Sequence, residues 1–387
     1  MKIQTLHRSV DNVADGQAKV GHGRFLHRAS DQATLDYVRL ACRDNYNKPS
    51  NEQQLLNHIV TTTKLAGYTF ARSLIVDYYV SLKANPFVIF TGPQGRGKTE
   101  LVQKFAEALV GCGNGQYAMI PCGTSWHDHT GEDNYYRSLQ ARFCSWRFVE
   151  LLQEAADPGN VGKVYLVCFD ALTPDELEYY FSTLLYVSST GKKRLHLPGF
   201  PPEQQPVVPS NLYITATIDI DRWDAELSPK VLRHAGLIEF RAPFHEVPQT
   251  QTKIAPSPVG YQRIWLQSAL RDVETARYRL SQLLGPDCLN RLRCSPELAQ
   301  LLWRGGVVLT TQLLEELTTY IANSFDEDGT GLFDVQDRLA NAQIAFDAQV
   351  IQRVLWRLRG SSDVELHQDL INYLDRMTMM AWQQAVA

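Results

Sequence analysis

The sequence predicts an α/β protein in which a parallel sheet, covered by helices, carries a glycine-rich loop and is followed by an all-helical region. Three observations predict it. The octapeptide Gly92-Pro93-Gln94-Gly95-Arg96-Gly97-Lys98-Thr99 follows the apolar run Phe87–Phe90 and precedes a stretch with Leu101, Val102, Phe105, Ala106 and Leu109 at helical spacing. Apolar runs at Phe87–Phe90, Tyr117–Ile120, Val164–Phe169, Leu212–Thr217 and Leu237–Phe240 alternate with helical patterns. Beyond residue 258 only helical patterns occur. Strands alternating with helices call for a parallel sheet covered on both faces, whose ligand sits at the carboxyl ends of the strands.

Along the chain, residues 1–60 form a short N-terminal segment, polar and broken by Gly16, Gly21, Gly23 and Pro49, with a short helical candidate over Thr34–Cys42. From about Asn51 to Leu82 the pattern is helical, with Phe70, Leu74, Ile75, Tyr78 and Leu82 on one side. The nucleotide-binding core then spans residues 61–245, and its helices include one carrying Phe143, Trp146, Val149 and Leu152. Between Ser188 and Asn211, a basic run (Lys192-Lys193-Arg194) and several prolines read as a hairpin-like excursion. A Pro-, Gln- and Thr-rich stretch from Pro243 to Pro258 marks a domain boundary, and residues 246–387 form a helical C-terminal domain. Its apolar faces are Leu266, Leu270, Val273, Ala276 and Leu280; Leu313, Leu314, Leu317 and Ile321; and Val350, Ile351, Val354 and Leu355.

The octapeptide in this context is a P-loop. Its glycines let backbone N–H groups close around phosphate oxygens, and the positive end of the following helix adds to the field. Lys98 is the residue to reach the β- and γ-phosphates, and Thr99 the one to hold Mg²⁺. The chain therefore binds Mg²⁺ with ATP or GTP, the base being undetermined. A bound metal must also be held from a second strand. Asp170 ends the apolar run Val164–Phe169 and supplies that carboxylate, the alternative being an aspartate that caps the next helix.

Composition narrows the setting. With 387 residues, 44% apolar and 21% charged, the chain has room for more than one domain and the balance of an ordinary globular protein. A net charge of −4 offers no global attraction for nucleic acid. Seven scattered cysteines without a C-x-x-C pair fit reduced thiols in a cytosol and do not indicate zinc. No run approaches the ~18 apolar residues that read as a membrane span, so the expected location is cytoplasmic.

Several ordered motifs carry a resemblance. Asp170 to Phe181 (Asp-Ala-Leu-Thr-Pro-Asp-Glu-Leu-Glu-Tyr-Tyr-Phe) resembles the McrB-type AAA+ pattern in which Asp-Glu-Met-Asn precedes a Glu-Tyr-Tyr-Phe helix. Pro209 to Asp221 is similar to that family's Pro-x-Asn-Leu strand and Gly-Thr-Val-Asn-Val-Asp sensor segment, and Leu227 to Phe240 to its Ser-Pro-Lys-Val-Leu-Asp-Arg-Ala segment. Trp126 to Tyr136 and Phe346 to Gly360 fit as well, so the resemblance covers roughly residues 65–375. It implies a ring-forming AAA+ NTPase with a helical lid, a member of the MoxR/McrB branch. It also implies a part in modification-dependent restriction or other anti-phage defence beside a nuclease or effector protein, with nucleic acid engaged through such partners.

The departures from that pattern matter as much. The catalytic glutamate position is Ala171, the sensor asparagine is Asp219, and the family's Asp-Arg reads Arg233-His234. The lid arginine aligns with Gln312. An arginine finger alone is worth ~10³–10⁵ in rate, so the expected hydrolysis is weak or shared between subunits. Two substitutes are candidate catalytic residues. Arg233 sits one position from the expected arginine. Asp219, on a strand expected beside that of Asp170, is either a relocated acid or a carboxylate that holds the metal or a lysine. With both substitutes working, the chain is instead an active ATPase or GTPase motor; a MoxR-type chaperone that remodels a protein partner is the third reading. The short N-terminal segment leaves target recognition to another polypeptide, so homo- or hetero-oligomeric partners are implied and a membrane is not.

Three weaker signals are set aside. Asp326-Glu327-Asp328-Gly329-Thr330-Gly331 with Asp334 and Asp337 partly matches a Ca²⁺ loop but has Asp at position twelve, and reads as a solvated acidic turn. His127-Asp128-His129 lacks third and fourth ligands at suitable spacing. Lys192-Lys193-Arg194 is either a pore-facing contact or an exposed basic turn.

Overall fold

The computed structural model describes residues 51–122, 147–174, 176–178, 203, 208–219, 231, 235–240, 260–286, 296–306, 310–355 and 363–373. Residues 1–50, the His127-Asp128-His129 and Lys192-Lys193-Arg194 motifs, Arg233-His234 and the proposed boundary over 243–258 lie outside them.

Two helices open the described chain, α1 (Asn51–Leu65) and α2 (Arg72–Ala84). The single helical pattern read from Asn51 to Leu82 is thus divided. Gly67 stands at φ +89, a left-handed conformation that ends a helix readily only when the residue lacks a Cβ. The alternating core follows: β1 (Phe87–Gly92), α3 (Lys98–Val110), β2 (Tyr117–Pro121), α4 (Phe148–Ala156), β3 (Tyr165–Asp170), β4 (Leu212–Asp219) and β5 (Gly236–Glu239). All pairings are parallel and the order is β2-β3-β4-β1-β5. β4 therefore lies between the strand that feeds the glycine-rich loop and the strand that ends in Asp170.

The sheet is buried on both faces because its strands are apolar at nearly every position. Phe87, Ile89, Val167, Phe169, Ile214 and Ile218 pack with Phe148, Leu151 and Leu152 of α4 on one face. Val88, Phe90, Leu166, Cys168 and Tyr213 pack with α1, α2 and α3 on the other. Burying side chains of this size contributes roughly 1.5–3 kcal/mol each. Cys112, Cys122 and Cys168 form no disulfide among the described residues, and burial pushes the Cys168 thiol well up.

Helices fill the rest: α5 (Tyr261–Ser268), α6 (Val273–Leu284), α7 (Pro296–Arg304), α8 (Thr311–Asn323), α9 (Arg338–Gln349), a π-helical turn (Val350–Leu355) and α10 over 364–373. The apolar face read from Leu266 to Leu280 belongs to two helices, because Asp272 caps α6 by accepting the Thr275 N–H at 2.8 Å. Trp265 of α5 is fully buried against Tyr79, Phe105 and Tyr213. Gln262 bonds Gln116 and the Val164 N–H just before β2 and β3, and Arg271 donates to Ser210 O just before β4. These contacts set α5 and the start of α6 at the amino ends of the strands. Gln312 is at that end too, lining a cleft of about 180 Å³ with Asn85, Gly236, Arg271 and Arg353.

Among the described residues, polar clusters join the helices. Glu52 and Lys83 form an ion pair at 1% and 0% side-chain exposure, with the Tyr79 hydroxyl donating to the same carboxylate at 3.0 Å. Partly buried Asp77 forms another, accepting from Tyr320 of α8 and Gln352 of the π-helical turn. The turn from Asp326 to Asp337 departs from its expected solvation. Asp326 is fully buried and accepts the Asp328 and Thr330 N–H groups at 3.0 and 2.8 Å, while Asp337 caps α9. Among the described residues no helix is long and apolar enough to cross a membrane.

Candidate functional site

The chemistry-bearing residues converge at the carboxyl ends of β1, β3 and β4. β1 ends in Gly92, where φ is +140 and an added Cβ would lie 2.6 Å from the Phe240 carbonyl oxygen. The chain then turns through Pro93, exposed Gln94 and Gly95, and half-buried Arg96 to Gly97, which caps α3 at φ +83. Gly95 stands at φ +72 with nothing within 4 Å of where its Cβ would be, so the loop is open on that side. Glycine is needed at these turns because left-handed backbone costs other residues roughly 1–2 kcal/mol. The loop therefore meets the geometric demands of an anion cradle: glycine backbone, an open side, and the first N–H groups of a helix of 13 residues at its end.

Lys98 and Thr99 sit in the first turn of α3. Lys98 is buried, and its ammonium donates to Gly92 O at 2.9 Å and Pro93 O at 2.7 Å. Its remaining proton faces Asp219, with Nζ 2.8 Å from Oδ1. The β1/β4 register sets Asp219 directly opposite Gly92, which explains why the carboxylate reaches the base of the loop. Thr99 donates its hydroxyl to Asp170 Oδ1 at 2.5 Å. Two residues 71 positions apart are thus joined as a hydroxyl–carboxylate pair, the donor set a Mg²⁺ ion takes in P-loop proteins.

Thr217 links these pieces, and the motif reading had not singled it out. Its hydroxyl donates to Asp170 Oδ1 at 2.8 Å and accepts the Ala171 N–H at 2.8 Å, while its carbonyl accepts the Leu172 N–H at 2.9 Å. Ala171 is held at φ +56, the sole non-glycine residue with positive φ among those described. Such strain persists where surrounding bonds over-determine it, and here the bonds come from Thr217. Beyond the turn, Thr173 and Glu176 bond each other's side chains and N–H groups reciprocally at 3.0 and 3.2 Å, a capping box that starts the next helix.

A sequence signal for Thr217 existed. Tyr213, Thr215, Thr217 and Asp219 occupy alternate positions of β4 and so share one face, while Leu212, Ile214, Ala216 and Ile218 pack into the core on the other. Polar residues recurring on one face of a buried parallel strand need partners. Thr215 has Tyr78 at 2.7 Å, Thr217 has Asp170, and Asp219 has Lys98.

Gly92 to Thr99, Asp170 and Asp219 are accordingly gathered in one place. Arg233 lies outside the described residues, and Gln312 is at the opposite end of the sheet.

No family model matches the chain, and no curated protein matches it. Among solved structures it is similar to a chain of the E. coli MS115-1 HORMA:CdnC:Trip13 complex, at 15% identity over 78% of this chain and 92% of that one, with a TM-score of 0.26.

Proposed function

We propose that this chain is a nucleotide-binding AAA+ subunit, in which Mg²⁺ with ATP or GTP, bound at the P-loop, holds or switches an oligomeric ring and hydrolysis is weak or shared. The observation that carries the reading is the Thr99–Asp170 hydrogen bond beside buried Lys98, at the carboxyl ends of three adjacent parallel strands. Lys98 and the loop N–H groups are the phosphate ligands, and Thr99 with Asp170 the metal ligands. Bound Mg²⁺ contributes neutralisation of phosphate charge. The protein contributes a prearranged set of donors, which Thr217 keeps in register.

Weak hydrolysis follows from what stands next to Asp170. Ala171 has no group that could orient water, and its backbone N–H is committed to Thr217. The finer assignment, to a McrB-type assembly in anti-phage defence with a nuclease or effector partner, rests on the order of the sequence motifs. A cytoplasmic ring engaging nucleic acid through such a partner belongs to the same proposal. One observation favours a second reading as an active motor: Asp219 puts a carboxylate within 2.8 Å of Lys98, inside the site.

Two measurements test the proposal. Equilibrium binding of ATP and GTP with Mg²⁺ should weaken roughly a hundredfold in Lys98→Ala, and phosphate release by the wild-type chain alone should be barely above that variant's. Wild-type protein that binds neither nucleotide would remove the assignment. Brisk release by the purified chain would replace weak hydrolysis with the motor.

A further inference from the structure

We propose that Asp219 is a latch on the nucleotide site: it holds Lys98 in a neutralised, fully bonded state that a triphosphate must break in order to bind. The proposal rests on the P-loop reading above and concerns how that site is regulated.

An ammonium has three protons to donate. Those of Lys98 are matched by Gly92 O, Pro93 O and Asp219 Oδ1, at 2.9, 2.7 and 2.8 Å. The side chains of Lys98 and Asp219 are 5% and 12% exposed, so water screens the pair little. An incoming phosphate must take over one of these protons. The two carbonyls are part of the loop itself and cannot leave without unfolding it. Asp219 is the acceptor that can be exchanged, and it is also an anion, so while it stays it repels the phosphate that would replace it.

The latch is built into the sheet. Asp219 is the last residue of β4, in register with Gly92, and lies on the face that carries Thr217 and its bond to Asp170. Releasing Lys98 leaves an unpaired carboxylate beside the metal pair Thr99–Asp170. Any cation arriving with the nucleotide offsets that charge, which makes binding of the triphosphate depend more steeply on Mg²⁺ than the metal's own ligands require. An asparagine at this position would accept the same lysine proton without the charge.

The test is calorimetric titration of ATP and of GTP, each with Mg²⁺ and with excess chelator, into wild type, Asp219→Asn, Asp219→Ser, Lys98→Ala and the Lys98→Ala/Asp219→Asn double variant. Asp219→Asn and Asp219→Ser should bind roughly ten- to a hundredfold more tightly than wild type, the span of one charge-assisted hydrogen bond. The gain should be larger without Mg²⁺ and should vanish when Lys98 is absent. Wild type that binds while neither Asp219 variant binds more tightly refutes the latch and leaves the P-loop assignment standing. Weaker binding by both variants only when Mg²⁺ is present makes Asp219 a metal ligand, which also refutes it. Failure of every protein to bind, with thermal melts showing all of them folded, overturns the P-loop assignment and the latch together.

Discussion

Asp77 gives the sharpest quantitative test of how the helices are fastened to the core. It lies in α2, is partly buried, and its Oδ1 accepts hydrogen bonds from the Tyr320 hydroxyl of α8 at 2.5 Å and from Gln352 Nε2 of the π-helical turn at 2.6 Å. Ser81, one turn along α2, donates at 3.4 Å. Burial lifts its carboxyl from 3.8 to about 6, and the three hydrogen bonds pull the other way without cancelling that rise. A pKa raised in the folded state means the folded protein binds the proton more tightly than the unfolded chain does. The stabilising contribution is therefore complete below the unfolded value and is lost as pH rises through the folded one. Between those limits the loss is about 3 kcal/mol. Asp77→Asn keeps the shape and the accepting oxygen and removes the charge. Urea unfolding of wild type and variant across the range from about pH 4 to about pH 7 should show the variant gaining on wild type by up to about 3 kcal/mol as pH rises, with little change above the folded pKa. Taking the difference between the two proteins cancels groups common to both, including Asp347, which burial also lifts to about 6. A difference that stays flat with pH, or that favours wild type increasingly as pH rises, would refute the claim that desolvation outweighs the hydrogen bonds at this carboxylate.

Two further outcomes bear on the site. Gly92→Ala drives a Cβ to 2.6 Å from the Phe240 carbonyl at a backbone φ of +140, so it should lower unfolding stability by about 3 kcal/mol, and an unchanged urea midpoint would contradict the close approach of β1 and β5 there. Thr217→Val removes the donor to Asp170 and the acceptor for Ala171 while keeping side-chain volume, and should reduce the Mg²⁺-dependent part of nucleotide affinity roughly tenfold. Thr217→Ser should restore it, whereas equal effects of Ser and Val would reduce Thr217 to a packing residue.

Much of the core was legible because its strands are buried on both faces, and continuous apolar runs between turn residues mark such strands well. Each of the five runs becomes a strand shifted by no more than two residues at either end. Helix continuity was less legible. Apolar spacing runs across Gly67 and across Asp272 without a break, and only the backbone conformation at the first and the cap at the second divide the helices. The Glu52–Lys83 pair was invisible for another reason: its partners are 31 residues apart and their burial depends on the packing of α1 against α2. Nor could periodicity say which end of the sheet the C-terminal helices would meet, since an apolar face reports that it is covered and not by what.

The site divides in the same way. A glycine-rich loop is local, so eight consecutive residues mark its turns, and Asp170 stands at the end of an apolar run. What joins them is not local. β4 contributes Thr215 to α2, Thr217 to β3 and Asp219 to the P-loop lysine, three successive positions on one face, each meeting a different element. The strand between the glycine-rich loop and Asp170 is therefore their common support, and a change at its tip acts on the site directly. That bears on the two altered positions. Ala171 is held in a strained turn by Thr217 although its side chain can do no chemistry, so the geometry after Asp170 is maintained by β4 independently of any catalytic group. Asp219, at the end of the same stripe, sets its carboxylate 2.8 Å from Lys98, the proposed phosphate ligand. On the proposed reading the first change weakens hydrolysis and the second raises the threshold for binding, which makes a site that responds to nucleotide more than it consumes it.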